Sequence, residues 1–210
     1  MSLQKNKGNL IIISGPSGVG KGTVCRALLE KYDDLVLSTS ATTRKARSGE
    51  KEGREYFFYT REKFLELIKK KAFLEWAKVF DNYYGTPLVY VQKILQQGQD
   101  CLLEIDVQGA LQVKAKWPTG VFIFLVPPSH EELVRRITSR GTENEAEVQK
   151  RLKQAEVEIG HLQEYDYVVV NDFVEEAVEK LRAIIVAERC RTIRLEWSER
   201  KLFLNKERRF

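Results

Sequence analysis

The chain has 210 residues, enough for one globular domain with inserted segments. Its hydrophobic fraction of 43% and charged fraction of 31% are typical of a soluble protein, and no apolar run approaches the roughly 20 residues that span a membrane. The net charge of +5 keeps nucleic acid open as a partner, while a polar N-terminus and three widely spaced cysteines predict a cytoplasmic protein with reduced thiols.

The first element in chain order is a buried strand followed by a glycine-rich turn. The apolar run 10–14 leads into Gly15-Pro16-Ser17-Gly18-Val19-Gly20-Lys21-Gly22-Thr23, and a helix is predicted to begin near Lys21. Glycines allow successive N–H groups to turn toward one anion, and the helix N-terminus and the lysine add positive charge. The pattern predicts a loop that binds the phosphates of ATP. A glycine-rich connection without a ligand is the alternative.

Position 22 departs from the commonest form of this loop. Where many such loops have a Ser or Thr that ligates magnesium directly, this chain has Gly22 followed by Thr23. We expect Thr23 to bind an inner phosphate. We expect Mg²⁺ to arrive with ATP and to be held by phosphates and water, without a metal site made by the protein alone.

Four further runs rich in apolar residues predict core strands, at residues 35–40, 101–105, 121–126 and 167–170. Helical patterns lie between and after them, at residues 23–31, 88–97, 108–116, 129–141, 145–164 and 174–197. The pattern at 129–141 opens with Ser129-His130-Glu131-Glu132, a capping box. This alternation predicts an α/β fold, a three-layer α/β/α sandwich around a parallel sheet.

Two segments interrupt the alternation. Residues 41–86 contain the aromatic run 56–59, a helical pattern at 61–71 and an apolar run at 73–80. These features predict a small strand–helix–strand lobe inserted after the second core strand. Residues 135–151, rich in charge, form a second excursion.

Several short motifs then occur in order along the chain. They are Ser38–Glu50 with its two arginines, Gly53-Arg-Glu-Tyr56, Glu75-Trp76, Asn82-Tyr-Tyr84-Gly-Thr86, Glu104-Ile-Asp106 with Gly109, Arg140-Gly-Thr-Glu143, and Val170-Asn171-Asp172. With these motifs the chain closely resembles the guanylate kinase family, from the first strand to about residue 190. The resemblance implies a P-loop fold with an inserted GMP-binding lobe and a mobile lid. The implied reaction transfers the γ-phosphoryl group of ATP to GMP, giving ADP and GDP in purine nucleotide metabolism.

The resemblance assigns the phosphate of GMP to Arg44 and Arg47, with hydroxyl groups from Tyr56 and Tyr84. Two arginines on one short segment can clamp a phosphate dianion through charge-assisted, bidentate contacts. A solvated surface pair is the alternative for two isolated arginines.

The resemblance assigns recognition of guanine to Glu75, with Ser40 and Thr86 as hydroxyl partners of the base. Guanine presents its N1–H and 2-amino groups as donors, and one carboxylate can accept from both. Adenine would place a lone pair against that carboxylate, so the discrimination can be steep. Taken alone, a glutamate at this point of a strand would more often lie on the surface.

The acids Glu104 and Asp106 follow a core strand, at the end where parallel sheets bind their ligands. The resemblance places Asp106 near the GMP ribose and base and near the waters of the metal. Glu104 stands where the family often has Asp.

The lid arginines implied by the resemblance are Arg136, Arg140 and Arg151, which close on the transferring phosphates. Arg135 is interpreted as part of a charged helix face, and Asn171 matches a position at the adenine of ATP. The implied catalytic residues are Lys21, Arg44, Asp106, Arg140 and Arg151.

The expected kinase domain spans residues 8–197. Its parts are the core (8–37, 98–127 and 166–197), the GMP-binding lobe (38–97) and the lid region (128–165). The basic tail 198–210 is interpreted as a solvated end, with a nucleic-acid or partner arm as the alternative. His130 and His161 are interpreted as structural.

The expected partners are ATP and GMP, with dGMP as a further candidate, and neither a membrane nor nucleic acid. Two alternatives stay open: a non-catalytic guanylate-kinase-like module that binds proteins, and a related kinase for another nucleoside monophosphate.

Overall fold

The computed structural model describes residues 7–138 and 145–194. Its strands are β1 (Leu10–Ser14), β2 (Leu35–Leu37), β3 (Ala41–Thr42), β4 (Phe57–Phe58), β5 (Phe73–Val79), β6 (Asn82–Pro87), β7 (Asp100–Glu104), β8 (Val121–Val126) and β9 (Tyr167–Val170). Its α-helices are α1 (Lys21–Lys31), α2 (Arg61–Lys69), α3 (Leu88–Gln96), α4 (Val107–Lys116), α5 (His130–Thr138), α6 (Glu145–Ile159) and α7 (Val174–Arg189). The predicted α/β class is confirmed.

The core sheet has five strands in the order β2-β7-β1-β8-β9, and each neighbouring pair is parallel. Strand β1 is central and wholly buried, because its apolar residues face hydrophobic clusters on both sides of the sheet. Ile11 and Ile13 pack toward α1 and α7, while Leu10 and Ile12 pack toward α3 and α4. The long apolar runs of the sequence are thus explained by burial on two faces.

The inserted lobe is a four-stranded sheet with one helix, so the predicted strand–helix–strand unit was incomplete. Its order is β4-β3-β6-β5, in which β5 and β6 form an antiparallel hairpin. Strands β3 and β4 have two residues each, too few for a periodic pattern. Helix α2 covers this sheet by stacking Phe64 on Phe73, with ring centroids 4.3 Å apart.

Three predicted element ends were wrong by three residues or more. Strand β2 ends at Leu37, short of residue 40, because the chain leaves the core there for the lobe. Helix α6 ends at Ile159 because Gly160 follows it, and residues 162–164 form a 3₁₀ turn. Helix α7 ends at Arg189, and beyond it the chain folds back so that Arg194 Nη2 donates to Oε2 of the buried Glu188 at 2.8 Å.

The capping residue of α5 is confirmed, since the Ser129 hydroxyl accepts the Glu132 N–H at 3.2 Å. The predicted end of that helix near residue 141 lies outside the described residues, as does the tail 198–210. Within residues 7–138 and 145–194, no helix has the length and apolar character needed to cross a membrane. Cys25 and Cys101 are buried free thiols, and Cys190 is an exposed one.

Candidate active site

The glycine-rich loop leaves the end of the central strand β1 and opens α1, as predicted. Gly15, Gly18 and Gly20 all have positive φ angles, of 149°, 87° and 92°. Gly18 also touches α5, because a Cβ atom there would lie 2.8 Å from Cγ1 of Ile137. Both the backbone angle and the close approach therefore require glycine at position 18.

Lys21 lies inside this loop. Its Nζ donates to the carbonyl oxygen of Gly15 at 2.6 Å and to that of Pro16 at 3.3 Å. Burial lowers the pKa of Lys21, while the carboxylates of Glu158, Glu104 and Asp106 act in the opposite direction. The structure thus brings together the predicted lysine and the two acids that follow β7. Glu158 was not predicted.

The arginine-rich segment after β3 forms a second group of cations. The Arg44 guanidinium makes two hydrogen bonds to Glu50, Nη1 to Oε2 at 3.0 Å and Nη2 to Oε1 at 2.8 Å, and stacks over the ring of Tyr56 at 5.5 Å. The Tyr56 and Tyr84 rings meet edge to face, 6.1 Å apart. Glu50 also accepts the Arg47 N–H at 2.7 Å, and the side chain of Arg47 is exposed. The four predicted residues therefore belong to one segment of surface.

Glu75 is a buried carboxylate on β5, only 7% exposed. Thr86 of β6 donates its hydroxyl to Glu75 Oε1 at 2.6 Å. Gly109 lies against the other oxygen, because a Cβ atom there would be 3.3 Å from Glu75 Oε2 and 3.2 Å from Asp106 Oδ1. Asp106 is also the N-cap of α4, with Oδ1 accepting the Gly109 N–H at 2.7 Å. The absence of a side chain at Gly109 allows the two acids to approach each other.

A cavity of about 140 Å³ lies between the lobe and the core sheet. Its lining includes predicted site residues from both units, namely Ser40, Tyr56, Thr86 and Glu104. The chain therefore places the predicted base and phosphate residues of the lobe beside the acid at the end of β7.

The predicted lid residues behave differently from one another. Arg151 donates from Nη2 to the Ser17 hydroxyl at 2.8 Å, so it reaches the phosphate loop. Arg136 bonds Glu132 at 2.6 Å and the carbonyl of Asn171 at 2.9 Å. Arg140 lies outside the described residues. Arg135 pairs with Glu132 and is exposed, in agreement with its interpretation as part of a helix face.

Asn171 lies behind the loop rather than at its mouth. It is 3% exposed, and its Nδ2 donates to the Val19 carbonyl at 2.8 Å. A Cβ atom at Gly20 would lie 2.7 Å from that same Nδ2. This side chain therefore supports the conformation of the loop through the Val19 carbonyl.

Two carboxylates that bind the predicted cationic sites were missed by the sequence reasoning. Glu50 holds Arg44, and Glu158 accepts the Ser17 N–H at 3.0 Å. Glu50 lies three residues after Arg47, a spacing that signals a turn contact in retrospect. Glu158 is 141 positions from Ser17 in sequence, and no local pattern indicates that contact.

A parallel sheet whose central strand ends in a lysine-bearing glycine loop, with an inserted lobe carrying arginines and a buried carboxylate, defines a P-loop kinase. The family model for guanylate kinase matches residues 7–188. The chain is 59% identical over 194 residues to a guanylate kinase of Caldanaerobacter subterraneus subsp. tengcongensis, covering 92% of this chain and 94% of the relative. It is 57% identical to a guanylate kinase of Syntrophomonas wolfei, covering 88% and 95%.

A solved structure leads to the same family. The crystal structure of guanylate kinase from Anaplasma phagocytophilum matches with a TM-score of 0.75 and 38% identity, covering 97% of each chain. The chain belongs to the guanylate kinase family. It is therefore an enzyme, a kinase that phosphorylates GMP with ATP.

Proposed function

We propose that the glycine-rich loop, Lys21 and Arg151 bind the phosphates of ATP during this transfer. The loop supplies N–H groups, and the lysine supplies a positive charge, whose pKa burial lowers and the nearby acids raise. Phosphoryl transfer needs aligned oxygens and neutralised charge more than covalent help from the protein. Arg136 and Asn171 support the donor side indirectly, through the carbonyls that they bind.

On the acceptor side, Arg44 and Arg47 bind the GMP phosphate together with Tyr56 and Tyr84. Glu50 keeps the Arg44 guanidinium oriented toward Tyr56, so that little side-chain freedom is lost on binding. No general base is required in this reaction, because the accepting group is already a phosphate oxygen anion.

The observation that carries the acceptor assignment is the Glu75–Thr86 pair. A carboxylate that is 7% exposed and held by one hydroxyl has a second oxygen directed at the Asp106 side of the site. Such an acceptor pair complements the N1–H and 2-amino donors of guanine. A base that lacks those donors leaves the buried acceptor unpaired, which is costly. The 2′-position of the sugar plays no part in this contact, so dGMP is proposed as a further substrate.

The residues present fit a magnesium ion that is carried by the nucleotide. Within residues 7–138 and 145–194, no group of three or more His, Cys, Asp or Glu side chains could hold a metal. Glu104 and Asp106 both interact electrostatically with Lys21 and would hold the ion through its water ligands. Bound there, the ion would neutralise charge on the phosphates of ATP.

A substrate and metal panel tests the proposed function. In a coupled ADP-release assay, GMP and dGMP should be phosphorylated about 100-fold more efficiently than AMP, CMP or UMP, because only guanine pairs with Glu75. Chelation of Mg²⁺ should abolish turnover, whereas GMP binding measured by calorimetry without ATP should be unchanged. Comparable efficiency with AMP would contradict the role of Glu75, and loss of GMP binding on chelation would contradict the assignment of the metal to ATP.

The affinity for GMP should depend on pH. Burial is the main cause that raises the pKa of Glu75 to about 7, and the Asp106 carboxylate contributes in the same direction. Below this pH the carboxyl group is protonated and one oxygen no longer accepts from guanine, so the KM for GMP should rise as pH falls through about 7. Ionisation of the GMP phosphate also occurs near pH 6. The variant Glu75→Gln separates the two effects, because it keeps only the phosphate ionisation. Equal pH profiles for both proteins would contradict this prediction.

We also propose that residues 38–97 act as the GMP-binding lobe and residues 128–165 as the lid, in a domain that extends over residues 8–197. Three free thiols suit a reducing compartment, and a cytoplasmic location is proposed on that basis.

A further inference from the structure

Glu158, in the last turn of α6, points at the phosphate loop. Its Oε2 accepts the Ser17 N–H at 3.0 Å, and its Oε1 accepts from Gln154 Nε2 at 3.2 Å. Of the carboxylates that act on the Lys21 ammonium, Glu158 has the largest effect, ahead of Glu104 and Asp106. One internal anion therefore interacts with both kinds of phosphate-binding group in the loop, a backbone N–H and the lysine.

The contact belongs to a larger attachment of α5 and α6 to the loop. These two helices share a small apolar core built on Leu133, Ile137 and Ala155. Ile137 of this core touches Gly18, and Arg151 of α6 donates to the Ser17 hydroxyl. Because α5 and α6 pack on each other, Ile137, Arg151 and Glu158 belong to one packed unit that contacts the loop at three places.

We propose that the Glu158 carboxylate competes with the phosphates of ATP for the phosphate loop, so that it lowers the affinity for ATP and is displaced when ATP binds. The inference rests on the proposed function, because it takes the loop as the ATP site. Two anions cannot share Ser17 N–H and Lys21 without strong repulsion. Displacement of Glu158 breaks a contact between α6 and the loop. Arg151, about two helical turns earlier on the same face of α6, is then released from Ser17 toward the phosphates.

The competing interpretation is that Glu158 only holds the loop in shape. The two interpretations predict opposite signs for a variant that removes the charge. If Glu158 shapes the loop, neutralising it loosens the loop and weakens ATP binding. If Glu158 competes, neutralising it removes the repulsion and strengthens ATP binding.

The test is calorimetric titration of Glu158→Gln with MgATP and, separately, with inorganic pyrophosphate. The expected result is tighter binding of both ligands by about five- to ten-fold, the size of a partly screened interaction between charges. The Kd for GMP measured without ATP should be unchanged, which also shows that the variant is folded. Glu156→Gln is the matched control, because Glu156 is exposed on the same helix, and its affinities should equal those of the wild type. Glu158→Ala should also bind MgATP more tightly than the wild type. It replaces Glu158→Gln in the test if that variant does not fold.

Unchanged or weaker binding of MgATP by the Glu158 variants would overturn the inference. Tighter binding of MgATP without any change for pyrophosphate would also overturn it, because the competition concerns phosphates. A different result would contradict the proposed function, namely no GMP-dependent ADP formation by the wild-type enzyme. The two outcomes can therefore be told apart.

Discussion

Replacing Lys21 with alanine is expected to lower turnover by about 100-fold or more while the fold stays intact. The ammonium group lies inside the loop, with Nζ 2.6 Å from the Gly15 carbonyl oxygen. It is thus placed to counter the charge that builds up on the phosphates of ATP as the γ-phosphoryl group is transferred. Alanine removes that charge from a partly buried site, where electrostatic contacts are stronger than in water. The kcat from the coupled ADP-release assay, at saturating MgATP and GMP, measures the effect.

Lys93→Ala is the matched control for this change. Lys93 is exposed on α3, outside the loop, so the same truncation there should leave turnover unaltered. Thermal unfolding of both variants shows whether Lys21→Ala is folded. A folded Lys21→Ala enzyme that retains more than about a tenth of wild-type turnover would show that the lysine is not a main electrostatic stabiliser.

Replacing Glu75 with glutamine is expected to lower kcat/KM for GMP. The expected loss corresponds to about 2–4 kcal/mol of binding free energy for GMP and its transition state. The amide oxygen can keep the hydrogen bond from Thr86, but the amide nitrogen then presents donors to the donors of guanine. The buried position, 7% exposed, prevents water from compensating. Calorimetry with GMP at about pH 8.5, where the wild-type carboxyl group is ionised, avoids mixing this effect with protonation.

The affinity for ATP is the internal control, since it should change little in Glu75→Gln. Glu62→Gln is the external control, because Glu62 is an exposed residue of α2. Normal GMP binding by the Glu75 variant would mean that another group recognises the base.

The parts of the fold that the sequence predicts well are those determined by local pattern. The apolar run at Leu10–Ser14 followed by glycines is readable because each strand residue is buried and each turn residue needs a special backbone angle. The lobe sheet was only partly predictable, because Ala41–Thr42 pairs with Tyr84 and Gly85, more than 40 positions away. A two-residue strand is too short to show the alternation of apolar and polar residues that indicates a strand. Its formation depends on partner strands that only the tertiary structure supplies.

For the charged residues of the site, too, the sequence predicts only part of the arrangement. Motif residues such as Lys21 and Arg44 were named from sequence, whereas the carboxylates Glu158 and Glu50 that interact with them came only from the structure. Glu158 reaches Ser17 because α6 packs on α5, which itself touches the loop, and Glu50 reaches Arg44 because the segment between them turns. A distant counter-charge such as Glu158 has no spacing rule, since one carboxylate on any nearby element can fill the position. Asn171 was named from the sequence, but its contact with the Val19 carbonyl was not, because no local pattern indicates it.

In the strand order β2-β7-β1-β8-β9, the central strand β1 has two strands on each side. Strand β1 carries the loop at the centre, and β2 and β7 on one flank lead into the lobe and to Asp106. On the other flank, β8 leads into α5, and β9 into Asn171. The groups proposed to bind the phosphate donor and the phosphate acceptor thus lie on opposite sides of one central strand. If these proposed sites are correct, mutations that change the accepted nucleotide can accumulate in one flank while the other stays constant. New phosphate acceptors could then evolve around an unchanged ATP site.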